Sequence, residues 1–304
     1  MTDGGARPDS PPGNWGRWGD DDERGALNLI TPGGVRAAAA AVTTGRVYGL
    51  GIPIQPHGVP LLEYRGTPLR LTLFNESDDG YFAFAGAPPG TGSHEDLLVF
   101  ASHTTSHIDA LSHAYAEHRH YNGVAASEMK THTGAGRLGI EKVDAFAGRG
   151  VLLDVAGLHG VDWLEPGTLV TAGDLEACAA REQVTVEPGD IVLVRTGYLD
   201  FWFARQPDVG WMQPGIGLGA AVWLAERDVV AVGADNGAVE VIPFDGDEYL
   251  AVHTEMLVRR GIYLLEYLNL ADLARDRCYT GLFAVGPLKV TGATGSPVNP
   301  VFVG

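Results

Sequence analysis

Apolar runs in the second half of the chain are separated by segments with the apolar spacing of helices. The runs at 150–155, 191–196 and 229–236 have the length and the content of branched apolar residues typical of buried strands. The segments at 171–178 and 217–227 have amphipathic helical patterns. Strands that alternate with helices at this interval predict an α/β core with parallel strands.

The first half of the chain has shorter predicted elements. Thr31 followed by Pro32 is a helix-start signal, and Gly45 is predicted to end that helix. Residues 46–75 alternate apolar and polar side chains between prolines, which predicts two or more strands of an antiparallel sheet. The run at 97–101 predicts a buried strand.

Glycine and proline mark the irregular segments. Residues 1–14 are predicted to form a disordered tail, which leaves 15–304 as one folded domain. Residues 76–95 form a long loop, and long loops in compact domains are often functional. The loop contains three aromatic residues, Tyr81, Phe82 and Phe84. They are expected either to line a pocket or to anchor the loop.

The composition restricts the class of protein and its partners. With 304 residues, 45% of them hydrophobic, the chain can bury a large core, as one large domain or two smaller ones. A net charge of −17 argues against nucleic acid or an anionic membrane as a partner. No signal-peptide pattern occurs, and no apolar run reaches the roughly 18 residues of a membrane span. The two cysteines, Cys178 and Cys278, do not form a disulfide framework, which favours a reduced, cytoplasmic setting.

Histidines are concentrated in one segment. Six of the ten lie within thirty consecutive residues: His103, His107, His113, His118, His120 and His132. The first three bracket Asp109, and imidazole with carboxylate is the ligand set of zinc, manganese and ferrous iron. Such a density of ligand side chains, flanked by apolar sequence, indicates a metal site rather than scattered surface histidines.

Regular secondary structure cannot bring these four side chains together. In a strand they share a face, but a rise of about 3.3 Å per residue places His103 roughly 33 Å from His113. In a helix Asp109 lies roughly 240° around the axis from His103. A turn that leaves a strand could make them converge. We therefore expect His103 at the end of the strand at 97–101, with His107 and Asp109 on the turn that follows.

The histidine segment resembles the signature of the metal-dependent cyclase and hydrolase family that includes bacterial kynurenine formamidase, isatin hydrolase and trans-dienelactone hydrolase. The family pattern is H-x-G-T-H-x-D-x-P-x-H, and its four polar positions are occupied here by His103, His107, Asp109 and His113. The chain departs from the pattern at three positions, Thr105, Ser106 and Leu111. A similar W…D-x-R-G-x-L-N-x-I-T-P opening extends the likeness towards the N-terminus.

The resemblance implies a mixed-sheet, swivelling β/β/α fold in a single large domain. It also implies a divalent-metal-dependent hydrolase of a cyclic amide, lactone or aryl formamide that uses a metal-bound water, with zinc or manganese as the cofactor. The metal ligands would be His103, His107 and Asp109, and a second ion, if present, would have Asp109, His113 and Glu266. Catalytic roles fall to His113, Glu266 and His253.

Glu266 is a candidate site residue on its sequence context alone, independently of the resemblance. It follows the apolar run 262–265, and a carboxylate in such sequence must be paired, metal-bound or protonated. Tyr121 and Asn122, in a Y-N-G turn that the family shares, are candidates for substrate contact, as is Trp18 in the N-terminal segment. The expected partners are a small-molecule substrate and further copies of the chain, in a homodimer or homotetramer.

Three alternative functions stay open from the sequence. The same metal site could serve a cyclase or dehydratase that acts on a carbonyl-rich natural-product intermediate. An iron(II) oxygenase could use His107, Asp109 and His253, but it would require an all-β jelly roll and leave other ligands unused. A non-catalytic metal- or ligand-binding protein is the third. Hydrolysis is preferred because an open metal–water site performs it most readily.

Overall fold

A nine-stranded mixed sheet forms the centre of the structure, a computed structural model that describes residues 13–206, 211–246 and 248–304. The strands along the chain are β1 (Val47–Gly49), β2 (Leu69–Phe74), β3 (Glu95–Val99), β4 (His107–Asp109), β5 (Phe146–Asp154), β6 (Leu169–Val170), β7 (Ile191–Arg195), β8 (Gly215–Ile216), β9 (Ala231–Ala234), β10 (Tyr263–Glu266), β11 (Thr280–Val285), β12 (Gly295–Pro297) and β13 (Val301–Val303). The large sheet has the order β1-β13-β11-β5-β7-β9-β10-β4-β12, while β2 pairs with β3 and β6 with β8.

Helices connect and cover the strands. They are α1 (Pro32–Ala40), α2 (Val155–Leu158), α3 (Ala172–Glu182), α4 (Tyr198–Arg205), α5 (Leu218–Ala225), α6 (Ala251–His253) and α7 (Ala271–Arg275). The chain continues after α6 as a π-helical segment, Thr254–Arg260. No helix in the described ranges combines the length and the apolar character needed to cross a membrane.

The predicted parallel core is confirmed. β5, β7, β9 and β10 are parallel neighbours, and their central residues have no solvent exposure. Parallel strands with both faces covered are nearly continuous apolar runs, which is the pattern seen in the sequence. Four adjacent parallel strands are also incompatible with the jelly roll that the oxygenase alternative requires.

The predicted start of α1 is confirmed and its predicted end is wrong. The Thr31 side chain accepts a hydrogen bond from the Gly34 backbone N–H at 3.0 Å, with Pro32 in the first turn. The helix ends at Ala40 rather than at Gly45. The helix does not continue to Gly45, because the N–H groups of Thr44 and Gly45 both donate to the carbonyl oxygen of Gly304 instead of to helical carbonyl groups.

The strand predicted at 97–101 exists, but it is not buried. β2 and β3 form a two-stranded antiparallel ribbon, here called the arm, whose apolar side chains are about half exposed. The loop between them folds back on the ribbon. Its aromatic residues Tyr81 and Phe82 pack on Phe74, with ring centroids 5.0 and 5.3 Å from it, so they anchor the loop.

The N-terminal tail was predicted for residues 1–14, of which 1–12 lie outside the described residues. Asn14 is part of the fold, because its backbone N–H donates to the Arg259 carbonyl oxygen at 2.9 Å and its side-chain amide donates to that of Arg260. Both cysteines are free thiols; Cys178 is buried and Cys278 is half-buried.

A buried carboxylate at the end of α3 gives one prediction about stability. Glu182 accepts a hydrogen bond from the Asp154 backbone N–H at 3.0 Å, and burial raises its pKa to about 7. As far as this group is concerned, the protein is most stable below the pKa that Glu182 has in the unfolded chain. That stability is lost as the pH rises through the pKa of Glu182 in the folded protein. Glu182→Gln should therefore raise the melting temperature by about 2–4 °C at pH 8 and much less near pH 5. The measurement is thermal unfolding at both pH values, with Glu165→Gln as the exposed control. An increase in melting temperature that is the same at both pH values would contradict the prediction.

Candidate metal centre

Strand pairing brings the first ligand candidates together. β4 lies between β10 and β12, and its register places His107 opposite Glu266. Because successive side chains of a strand point to opposite faces, His107 and Asp109 share one face while Ile108 is directed into the core. A strand of only three residues thus presents an imidazole and a carboxylate beside Glu266. The sequence-based placement of His107 and Asp109 on a turn was wrong.

His103 approaches from the turn that precedes β4, not from the end of a core strand. Its Nε2 lies 3.3 Å from Oδ1 of Asp109. The approach depends on Gly295 in β12, where a Cβ atom would lie 2.6 Å from that Nε2. Any side chain at position 295 would displace the imidazole.

Two further histidines complete the cluster. Nε2 of His253 lies 3.7 Å from Oδ2 of Asp109 and 3.5 Å from Oε1 of Glu266. The His113 ring packs on the His103 ring, with centroids 4.1 Å apart. The structure therefore brings together all six residues predicted as metal ligands or catalytic groups: His103, His107, Asp109, His113, His253 and Glu266.

The ring nitrogens are oriented for metal binding. Nδ1 of His107 donates to the Thr105 carbonyl oxygen at 2.7 Å, and Nδ1 of His253 lies 2.5 Å from a carboxylate oxygen of Glu240. A hydrogen bond at Nδ1 fixes the tautomer and leaves Nε2 with its lone pair for a metal. Nε2 of His107 lies 3.0 Å from Oε2 of Glu266 and 3.7 Å from Oδ1 of Asp109.

The donor set fits a divalent cation. Within the described part of the chain, Nε2 of His103, Nε2 of His107 and both oxygens of Asp109 are buried without a hydrogen-bond partner. Such atoms are costly to bury unless they are paired or bind a metal. Two groups of atoms could each hold an ion, with Asp109 common to both: His103, Asp109 and His113 form one, and Asp109, His253 and Glu266 form the other.

The charge state of the cluster is set by competition between burial and neighbouring charges. Burial raises the pKa of Asp109, but the imidazoles of His113, His103 and His107 outweigh it and hold that pKa well below its usual range. Burial lowers the pKa of His113 to about 4, so its ring is neutral at pH 7. For His253 burial lowers the pKa, but the carboxylates of Glu240 and Glu266 raise it to about 10. A cation would compete with that proton for Nε2 of His253.

Comparison with known sequences and structures identifies related proteins. Residues 29–241 match the sequence profile of the Cyclase family. The chain belongs to the Cyclase family. A crystal structure described as a novel cyclase has 35% identity over 98% of this enzyme and 99% of that chain, with a TM-score of 0.87. No curated protein matches this cyclase-family chain.

More distant structures share the fold. Isatin hydrolase A from Labrenzia aggregata has 21% identity over 85% of this enzyme and 94% of that chain, with a TM-score of 0.59. A predicted metal-dependent hydrolase from Bacillus stearothermophilus has 22% identity, covering 84% and 97% of the two chains, with a TM-score of 0.53. The predicted mixed-sheet fold of this family is therefore confirmed.

A cavity of about 290 Å³ opens next to the cluster of this cyclase-family enzyme, and His113, His253 and Glu266 form part of its wall. Most of the remaining wall is apolar or aromatic. The aromatic residues are Tyr64, Tyr198, Trp211, Phe244, Tyr249 and Tyr267. The aromatic residues of the 76–95 loop do not contribute to the described wall of this cavity.

The three residues predicted to bind substrate have other contacts within the chain. The Tyr121 hydroxyl donates to Asp22 at 3.1 Å, and the Asn122 side chain binds the backbone of Gly16 and Gly19. Trp18 packs on the core beneath the Arg17 guanidinium. None of the three is among the described residues of the cavity wall. Their contacts instead join the N-terminal segment to the rest of the domain.

Two residues near the cluster were missed as site residues. Glu240 lies past the end of β9, a position in the sequence that is as typical of a ligand group as of a turn residue. Its contact with His253 depends on the fold of 235–250 and has no local sequence signal. Arg65 lies in an exposed helical turn, Glu63–Arg65, and donates from Nη1 to the His103 carbonyl oxygen at 2.5 Å. The sequence around Arg65, including Tyr64 and Gly66, has no pattern that predicts this contact.

Proposed function

We propose that this enzyme is a divalent-metal-dependent hydrolase of a cyclic amide, a lactone or an aryl formamide, with zinc or manganese as the cofactor. The observation that carries the proposal is that buried imidazole nitrogens and carboxylate oxygens, which have no hydrogen-bond partner among the described residues, converge beside a cavity with an aromatic wall. The shared fold with isatin hydrolase is compatible with it. A divalent ion bound there would polarise a carbonyl group and lower the pKa of a coordinated water.

The chain's own residues would position the substrate and move the proton. The aromatic wall favours a flat, apolar substrate. His113 borders the cavity, and burial keeps its imidazole in the neutral form that accepts a proton. Glu266 reaches the same cavity and is the second candidate for proton transfer.

The test is turnover by protein that has been stripped with a chelator and reloaded with zinc or manganese, on a panel of lactones, cyclic imides and aryl formamides. Hydrolysis in ¹⁸O-labelled water should place one labelled oxygen in the product carboxyl group. Turnover should be lost on stripping and recovered on reloading. The cyclase or dehydratase alternative would give dehydrated or ring-closed product without incorporated label, and equal turnover by stripped protein would contradict metal dependence.

We also propose that the enzyme is a homodimer or homotetramer that buries the arm. The register Leu69 to Val99 and Leu71 to Leu97 places these four side chains on one face of the ribbon, together with Leu73. All five are between 45% and 51% exposed. A two-stranded ribbon with an uncovered apolar face is marginally stable alone. Because the face has no charged residue, it is a surface on which two copies of an acidic chain can meet.

The oligomer proposal is tested by sedimentation at micromolar concentration. The unaltered chain should sediment as a dimer or tetramer, and Leu71→Glu, on the apolar face of the arm, should shift it towards monomer. Thr72→Glu, on the opposite face, is the matched control. A monomeric unaltered chain would contradict the proposal.

A further inference from the structure

Arg65 stands out among the residues around the cavity. Its Nη1 donates to the carbonyl oxygen of His103, so the guanidinium group lies directly beside a member of the metal cluster. Arg65 also forms part of the wall of the same cavity as His113, His253 and Glu266. The cluster and this guanidinium group can therefore reach the same bound molecule.

The charge of Arg65 is not neutralised by the described residues. Among the wall residues that the structure describes, it is the one lysine or arginine. Within 13–206, 211–246 and 248–304 no carboxylate lies within salt-bridge distance of it, although the chain contains 38 acidic residues. Its Nε donates to the Tyr64 hydroxyl at 3.1 Å, and no hydrogen bond joins Nη2 to the described residues. A half-buried guanidinium with free donors is suited to an anionic oxygen group.

The aromatic residues of the cavity wall indicate what the remainder of the ligand, apart from its anionic group, is like. The rings of Tyr64 and Trp211 are stacked 5.4 Å apart with 30° between their planes, and Phe244 and Tyr249 form an edge-to-face pair. Such walls contact flat apolar groups, and a volume of about 290 Å³ limits the ligand to a small one.

We propose that Arg65 binds a carboxylate group of the substrate, so that the enzyme acts on small aromatic compounds that carry a carboxylate in addition to the reacting carbonyl. This rests on the proposed function, because it names the substrate class of the same site. The N–H groups of Nη2 and the remaining N–H of Nη1 pair with the carboxylate, and this pairing directs the reacting carbonyl towards the cluster. Arg65 is then a determinant of specificity in addition to its contact with the His103 backbone.

The experiment compares benzoate with benzamide, two probes of nearly equal size that differ in charge. Their affinities are measured by calorimetry on the metal-loaded protein, so no turnover is needed. Arg65→Met should weaken benzoate binding about tenfold or more and leave benzamide binding nearly unchanged. Arg65→Lys keeps the charge without the planar fork and should retain part of the preference. Arg119→Met is the matched control, because Nη1 of Arg119 also donates to a backbone carbonyl oxygen, that of Gly123, on the exposed surface.

Three results would overturn the proposal. The first is an unchanged benzoate affinity in Arg65→Met, which would mean that the anion binds the metal alone. The second is an equal loss for both probes together with lower metal content, which would assign Arg65 a purely structural role at His103. The third is the absence of any benzoate preference in the unaltered protein. If the Arg65-dependent preference is present while no panel compound is turned over, the proposed function fails and the carboxylate site stands.

Discussion

Asp109→Asn is expected to lower turnover by about 10³-fold or more and to remove most of the bound metal. Asp109 belongs to both groups of candidate ligand atoms, and each of its oxygens faces a different set of imidazoles. Asparagine has nearly the same shape but lacks the charge and one of the two acceptor oxygens. A loss of several kcal/mol in transition-state stabilisation by the metal corresponds to about three powers of ten in rate.

The measurement is metal content by mass spectrometry and turnover at saturating zinc or manganese, with Asp21→Asn on the exposed N-terminal segment as the control. The variant must keep a cooperative thermal transition, so that a loss of metal is not confused with a loss of folding. When both are stripped of metal, the variant should be somewhat less stable than the unaltered chain, because the imidazoles that lower the pKa of Asp109 stabilise its charged form in the folded protein. Retention of full metal content and turnover by Asp109→Asn would show that the ion binds elsewhere.

Changing Glu240 is the second prediction with a large effect. Its carboxylate lies 2.5 Å from Nδ1 of His253 and also accepts a weaker hydrogen bond from the Val252 backbone N–H. It thereby fixes the ring and the tautomer that leave Nε2 of His253 facing Asp109 and Glu266. Glu240→Ala should weaken metal binding about 10–100-fold, the range typical of residues that orient a ligand histidine.

Glu240→Gln separates charge from orientation. A glutamine oxygen can still accept from Nδ1 of His253, so this variant should keep most of the metal affinity while making His253 less basic. Competition with a chromogenic chelator measures the affinity of both variants without a substrate. Equal losses for the two variants would assign the effect to charge alone, and no loss in either would exclude Glu240 from the metal centre.

The core of the fold could be predicted from the sequence because its signals are local. The runs at 150–155 and 191–196 form β5 and β7, and Thr31 with Pro32 starts α1. The arm could not be predicted correctly in the same way. Leucines at alternate positions have the pattern of a strand with one covered face, and the sequence does not indicate what covers it.

The candidate site was predictable in composition but not in arrangement. The spacing of His103, His107 and Asp109 indicated a cluster, and Glu266 was identified from its apolar surroundings. Which of them lies on a strand depends on the pairing of β4 with β10, more than 150 residues later in the chain, and a three-residue strand has too few positions to show its period. Glu240 follows a predicted strand, a position that suits a ligand group and a turn residue equally, so the sequence did not decide its role. The contact of Arg65 with the His103 carbonyl oxygen joins two irregular segments and has no local pattern.

Anomalous diffraction from crystals grown with manganese or zinc tests the central claim most directly. The account predicts a peak between the Asp109 carboxylate and the Nε2 atoms of the surrounding histidines, at about 2.0–2.2 Å from its ligand atoms. A second peak sharing Asp109 would identify a two-ion centre. Crystals saturated with either metal that show no peak at Asp109, or a peak only at other residues, would contradict the account.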